Sequence, residues 1–215
     1  MLTLGISTSS GQFTIVLGDD NKLLFNSDDL QLSDKKDINI LISKCFELTN
    51  RKAIDISNII VDIGPGGTSR VRTGIAFANS LAYSLAIPVC PVSSLELAGI
   101  DIWQTKKIPV ISTVNSINGN AYIGYYNENK LISINYGTID KIVPSIVNGT
   151  NEIAIVGYHR SQIKQLLSNA HTHIIDTGKF YGSARFLVEN FKLFLERGLF
   201  YPKFAIPITE KIFQR

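Results

Sequence analysis

Glycines and hydroxyls, rather than carboxylates or histidines, are the residues of this sequence whose types and spacing invite chemistry. Gly64-Pro65-Gly66-Gly67-Thr68-Ser69-Arg70 stands between a β-branched run, Ile59-Ile60-Val61, and a helical pattern. Backbone N–H groups at such a strand-to-helix junction bind anions, and glycines let a phosphate approach the chain closely. Ser7-Thr8-Ser9-Ser10-Gly11 follows the first predicted strand and offers further hydroxyls and amides. The candidate nucleotide or phosphate contacts are therefore Thr8, Ser9, Ser10, Gly64, Gly66 and Gly67. The same residues suit two tight polar turns with no ligand, and that reading stands beside the first. No Lys completes a P-loop and no G-x-G-x-x-G is present.

Nucleotide hydrolysis needs acidic groups to hold Mg²⁺ and orient water. The hydroxyl loop contains none, and Ser7 and Asn115 occupy strand ends where an Asp would serve. Asp62 alone stands beside the glycine loop and reads as a strand-end polar group, so no catalytic residue is assigned. His159, His171 and His173 lack H-E-x-x-H spacing, and Ser93 lacks the glycines of a nucleophile elbow. Neither a metal site nor a hydrolase nucleophile is expected. Cys45 and Cys90 sit in apolar surroundings and read as buried thiols of a reducing compartment.

The elements that must position these loops follow from periodicity. Residues 2–7, 13–17 and 22–25 read as strands joined by turns, and Ile38, Leu41, Ile42, Cys45 and Phe46 mark one face of a helix entered from Asp34. A central strand at Ile59-Ile60-Val61, a helix from about Ser69 to Ala86 and a strand at 88–92 follow. Ser93 and Glu96 then give a capping-box signature for another helix. After the polar break Gln104-Thr105-Lys106-Lys107, strands at 108–114, 121–126 and 131–136 restart the order. Helices at 139–147, 161–168 and 183–197 alternate with strands at 153–156 and 173–175. An α/β protein of two lobes, 1–105 and a reduced 106–215, is expected, each with a mixed sheet opening in an antiparallel meander.

Composition narrows the class. Of 215 residues 45% are hydrophobic, enough to build a core and to exclude a disordered chain. A formal net charge of +3 without a Lys/Arg cluster argues against direct nucleic-acid binding. The longest apolar run, Ile75 to Ile87, is broken by Asn79, Ser80 and Ser84 and is too short and polar to span a bilayer. With no basic leader at Met1, a soluble cytoplasmic protein without membrane contact is expected.

The helix from Arg70 to Ala86 carries small residues, Gly74, Ala76, Ala78, Ser80, Ala82 and Ser84, beside an apolar stripe of Val71, Ile75, Leu81 and Leu85. Small residues permit close helix packing, either on the protein's own sheet or against a partner. The candidate partner interface comprises Ile38, Leu41, Ile42 and Cys45 from the first helix with Arg70, Gly74, Ala78 and Ala82 from the second.

Ile63-Gly64-Pro65-Gly66-Gly67-Thr68-Ser69-Arg70-Val71-Arg72-Thr73-Gly74 resembles the G-P-G-S-F-T-G-L-R-x-G signature of the bacterial TsaB (YeaZ) family. Ile87-Pro88 with Val92-Ser93-Ser94-Leu95-Glu96 resembles its I-P…V-S-S-L-E segment, and Leu4-Gly5-Ile6-Ser7-Thr8-Ser9 its L-x-I-D-T-S start. The resemblance covers the whole chain and is specific over residues 1–100. It departs at Gly67, Thr68 and Arg70 (Ser, Phe and Gly in the family), at Ser7 (Asp), over Asn115–Tyr122 (D-A-R-x-G-E-V-Y) and at Pro207–Lys211 (P-x-Y-x-R).

The resemblance implies an actin-like, ribonuclease H-like fold shared with sugar kinases. It also implies a non-catalytic subunit in making threonylcarbamoyladenosine on tRNA, paired with a TsaD-like transferase and a TsaE-like ATPase. A homodimer is implied when the chain is alone and tRNA is met only through the complex; no cofactor is expected, ATP or ADP at a subunit interface being the alternative. The wider family's older glycoprotease-like label rests on a histidine metal motif absent here. A free-standing ATPase or small-molecule kinase, and a homodimeric scaffold unrelated to tRNA, are the alternatives.

Overall fold

The computed structural model describes residues 1–30, 37–196 and 204–213. β1 (Leu2–Ser7), β2 (Thr14–Asp19) and β3 (Lys22–Asn26) form an antiparallel meander. β4 (Asn58–Asp62) then pairs parallel with β1, and β5 (Val89–Val92) parallel with β4, giving the order β3-β2-β1-β4-β5. The second sheet repeats this arrangement with β6 (Val110–Asn115), β7 (Ala121–Asn127), β8 (Lys130–Gly137), β9 (Glu152–Gly157) and β10 (His173–Asp176), in the order β8-β7-β6-β9-β10. Both meanders close through two-residue left-handed turns, at Asp20 (φ 47°) and Asn21 (φ 70°) and at Glu128 (φ 46°) and Asn129 (φ 67°). That conformation matches the twist of the flanking strands and favours Asn and Asp.

Helices cover both faces of each sheet. α1 (Ile38–Thr49) starts at Asp37, whose side chain accepts from the Asn39 amide at 2.8 Å. α2 spans Thr68–Leu85. Ile38, Leu41 and Cys45 of α1 and Val71, Ile75, Ala78 and Ala82 of α2 share one core with Leu4, Ile6 and Ile59 of the sheet. Leu187 and Val188 of α6 (Phe186–Glu189) cover the opposite face at Gly5 and Gly18. On the second sheet, α4 (Ile139–Val147) and α5 (Arg160–Leu166) share a core with Ile111, Ile123 and Ile155, while α3 (Ser94–Lys106) covers the other face at Gly124. Among the described residues no helix is long and apolar enough to cross a membrane.

The chain forms two compact units, Met1–Ser93 with Ala184–Ile208 and Ser94–Ser183 with Thr209–Arg215. These limits differ from the break expected at 104–108, because that polar stretch ends α3 instead of separating the units. α3 follows the first sheet but packs on the second; α6 and α7 (Phe191–Glu196) follow the second but return to the first unit. The single helix expected over 183–197 is interrupted at Asn190, whose side chain donates to the Phe186 carbonyl at 3.2 Å. Arg197, like the start of the first helix expected over 34–36, lies outside the described residues. Leu187 is fully buried, so Leu187→Ala is expected to lower the unfolding free energy by about 2–5 kcal/mol. Urea denaturation checks this, and a loss near zero shows that α6 is not needed to hold the first sheet.

Candidate functional site

Because β1 and β4 are parallel neighbours, the loops that leave their carboxyl ends meet at one edge of the sheet. Asp62, the last residue of β4, is fully buried there. Its Oδ2 accepts from the Ser7 hydroxyl at 2.8 Å and from the Ser9 hydroxyl at close range, and its Oδ1 accepts from the Gly64 amide at 2.9 Å. The Ser9 backbone N–H adds a further donor. Ser93, at the end of β5, donates to the Gly64 carbonyl at 3.1 Å. One carboxylate thus ties the hydroxyl loop to the glycine loop.

The glycines are needed for that closeness. A Cβ on Gly66 would lie 2.7 Å from the Ser9 Cα, and one on Gly74 would lie 2.6 Å from the Thr8 methyl. Thr8 and Gly64 are buried, Ser9, Ser10 and Gly66 are half-buried, and Gly67 is exposed. The structure therefore brings the six candidate loop residues together, but turns the polar groups of Ser9 and Gly64 inward onto Asp62. Ser10, Gly67 and the exposed Arg70 form the outward rim. Burial, above all, pushes the Asp62 carboxyl upward from its usual value, against the donors from Ser9, Gly64 and Ser7. Asp62, Ser7 and Ser93 were not among the residues expected at this site; a strand-end Asp facing a Ser-x-Ser loop is the signal that marks them. Among the described residues no three His, Cys, Asp or Glu side chains gather as a metal would require.

The helix residues expected at a partner interface need correction. Ile38, Leu41, Cys45, Gly74, Ala78 and Ala82 are all buried in the core of the first unit, and Ile42 is half-buried against it. Cys45 is packed so fully that its thiol is pushed up to about 12. The buried stripe of α2 is Val71, Ile75, Ala78 and Ala82, whereas Leu81 and Leu85 are only partly covered. Of the eight residues only Arg70 is exposed. The outward face of α2 presents Thr73, Ala76, Ser80 and Tyr83, which recur at i, i+3, i+7 and i+10, and Tyr83 is 80% exposed. α1 exposes Ile40, Ser43, Glu47 and Leu48.

Residues 33–211 match the family described as TsaD, the tRNA N6-adenosine threonylcarbamoyltransferase. The chain belongs to this family. Its curated relatives are of the TsaB (YeaZ) kind. It is 26% identical over 141 residues to the tRNA threonylcarbamoyladenosine biosynthesis protein TsaB of Bacillus subtilis, covering 60% of this chain and 57% of that protein. It is 32% identical over 79 residues to the TsaB of Buchnera aphidicola subsp. Schizaphis graminum, covering 36% of this chain and 38% of that one. The chain thus spans little more than half the length of the first of these relatives and less of the second. In structure it is similar to YeaZ from Pseudomonas aeruginosa, with a TM-score of 0.78 at 16% identity over 97% of this chain and 100% of the other. It is also similar to the inorganic polyphosphate/ATP-glucomannokinase of Arthrobacter sp. strain KM, with a TM-score of 0.51 at 12% identity over 91% and 99% of the two chains. The fold is the actin-like one that the resemblance implies.

Within this TsaB (YeaZ)-type chain, Ser7 stands where the family start carries Asp, and it serves as a donor to Asp62. Replacing Asp62 by Ala strands the Ser7 hydroxyl and the Gly64 amide in the interior, and is expected to cost about 2–3 kcal/mol. Asn is expected to be tolerated, since its oxygen can take the Gly64 amide while its NH₂ donates to serine hydroxyls that turn round. The pH dependence follows from the raised carboxyl. Folding favours the protonated acid, so its contribution is full below the ordinary Asp range near 4 and declines as pH rises through the folded value. Stability measured by urea denaturation should therefore fall with pH in the native chain and lack that component in Asp62→Asn. Equal slopes in both overturn the assignment.

Proposed function

We propose that the chain is a non-catalytic subunit for threonylcarbamoyladenosine formation on tRNA, pairing with a TsaD-like threonylcarbamoyltransferase and a TsaE-like ATPase in the cytoplasm. The observation that carries this reading is the occupation of Asp62. The carboxylate that ends β4 and ties the paired loops together is buried and surrounded by four donors from its own chain. A kinase or ATPase of this fold needs such an acid turned outward to hold Mg²⁺ at the phosphates. The names of the curated relatives, both threonylcarbamoyladenosine biosynthesis proteins, supply the process. Ser10, Gly67 and Arg70 are the part of the loop pair left to an anion such as ADP or ATP at a subunit boundary. Nothing in the role requires that nucleotide to be hydrolysed here, and tRNA is met through the complex.

Pairing is assigned to the outward faces of α1 and α2. Thr73, Ala76 and Ser80 are small enough to admit a partner helix closely, and Tyr83, Ile40 and Leu48 are large exposed apolar groups beside polar ones. A second copy of the chain uses the same faces when the transferase is absent, so the homodimer and the heterodimer compete. Ala76→Glu and Tyr83→Glu are expected to leave the melting temperature within a few degrees, because both positions are exposed. Both should weaken association with the co-expressed TsaD-like protein at least about tenfold, as unpaired charge in a close contact does. Size-exclusion chromatography and co-purification check this. Unchanged association by both variants places the interface elsewhere. Deletion of the gene, followed by mass spectrometry of tRNA nucleosides, tests the process itself: threonylcarbamoyladenosine should disappear.

A further inference from the structure

The second unit presents a cluster of exposed rings that neither the loop pair nor the helix faces use. β9 ends at Gly157 (φ 112°), where an added Cβ would lie 2.0 Å from the Thr113 carbonyl oxygen of β6. Only glycine permits that approach, and the chain leaves it at the carboxyl edge of the parallel strands β6, β9 and β10. Open α/β sheets take ligands at this edge. Tyr158, Phe180 and Tyr181 stand there 47%, 49% and 37% exposed. The Tyr158 ring is edge-on to Phe180 at 5.6 Å between centroids and to Tyr181 at 5.7 Å, and the two tyrosine hydroxyls bond to each other. The Arg160 guanidinium lies 4.3 Å from the Phe180 ring centroid.

The backbone beneath the rings is braced. Arg160 donates from Nη1 to the carbonyls of Gly157 at 2.7 Å and Lys179 at 2.5 Å, and from Nε to Asp176 at 2.9 Å. Asp101, buried on α3, accepts from Lys179 Nζ at 2.7 Å and from the Ser183 amide at 3.1 Å. Rings held in place beforehand lose little freedom on binding, which is what a recognition platform requires.

We propose that this cluster stacks an unpaired base of an RNA. The proposal rests on the tRNA reading above and adds, to the contact made through the complex, one that this chain makes with an RNA directly. Aromatic faces accompanied by a guanidinium plane stack bases with little regard to sequence. The bond between the tyrosine hydroxyls ties the two rings together. Arg160 and Lys179 are engaged by Asp176 and Asp101, so attraction comes through the rings and not through phosphate. That favours a base carried on a chain over a mononucleotide, whose charge is concentrated in its phosphates. A protein partner needs about 800 Å² of packed surface per side, whereas Asp176, Thr177 and Lys179 beside the rings are polar.

Fluorescence anisotropy with an unstructured RNA of about 12 nucleotides tests this on the full chain. The double variant Tyr158→Leu/Phe180→Leu should bind about tenfold more weakly, while Tyr158→Phe/Phe180→Tyr binds as the native chain does. Salt should change the affinity by about one phosphate's worth or less. AMP in excess should displace the RNA poorly, and a duplex of the same sequence should bind poorly. No binding by the native chain, undiminished binding by the Leu variant, or equal binding of the duplex each overturns the proposal. So does a Leu variant that binds RNA normally yet no longer associates with the TsaD-like protein, since the rings are then a protein contact. Nucleoside analysis of the deletion strain separates the two readings. Ring-dependent RNA binding with threonylcarbamoyladenosine intact sinks the tRNA role and keeps base stacking; the reverse pattern does the opposite.

Discussion

A carboxylate buried at the end of a central strand imposes conditions on everything around it. An unpartnered buried charge or polar group costs more than most single contacts return, so the chain must bring donors to Asp62 or unfold locally. It brings them from its own loop, through the Gly64 amide, and from the loop after β1, through Ser7 and Ser9. Meeting that demand fixes the rest of the edge. Gly66 must lack a side chain to lie on Ser9, Gly74 must lack one to lie on Thr8, and Ser93 holds the Gly64 carbonyl from β5. The same condition has a chemical consequence. An acid whose lone pairs are taken up by its own chain is a poor metal ligand, so the interaction that organises these loops also weakens them as a catalytic site.

The second constraint is topological. Two sheets of identical strand order each need helices on both faces, yet the helix following the last strand of one sheet covers a face of the other. α3 leaves the first sheet and packs on the second at Gly124, and α6 leaves the second and packs on the first at Gly5 and Gly18. Neither sheet is complete on the residues of its own half of the sequence. A cut at the polar stretch 104–108 separates α3 from the second sheet, on which it packs, while leaving the first sheet without α6.

This exchange explains what was legible in the sequence and what was not. β1 at Leu2–Ser7 and α4 at Ile139–Val147 are found at the residues their periodicity indicates, because alternation and 3.6-residue spacing are local properties. The unit limits are not local: Gln104-Thr105-Lys106-Lys107 is as polar as a linker, but so is the last turn of a helix. Which side of α2 faces outward was hidden for a related reason. Small residues occur on its buried side (Gly74, Ala78, Ala82) and on its exposed side (Ala76, Ser80), and composition cannot tell which side meets the sheet. At the loop pair the residues were legible but their direction was not. Whether Ser9 faces a ligand or Asp62 depends on a pairing of β1 with β4 across more than 50 residues, as the 53-residue separation of Ser9 and Asp62 shows.

What distinguishes a scaffold from an enzyme of the same fold is where its polar groups point. In the first unit the polar atoms of the loops converge on an internal carboxylate, while the outward face of α2 beyond its first turn and Arg72 presents small groups and Tyr83. In the second unit, Asp101, Asp176 and the Arg160 guanidinium are likewise spent on bracing, and what reaches solvent is the ring faces they support. Internal satisfaction of polar groups and external display of apolar or aromatic ones is the economy of a binding surface, since desolvating a small residue or a ring costs little, whereas desolvating a free charge costs much. In both units the groups that a charged ligand would meet are drawn inward by the same physical route, and what stays at the surface is cheap to desolvate.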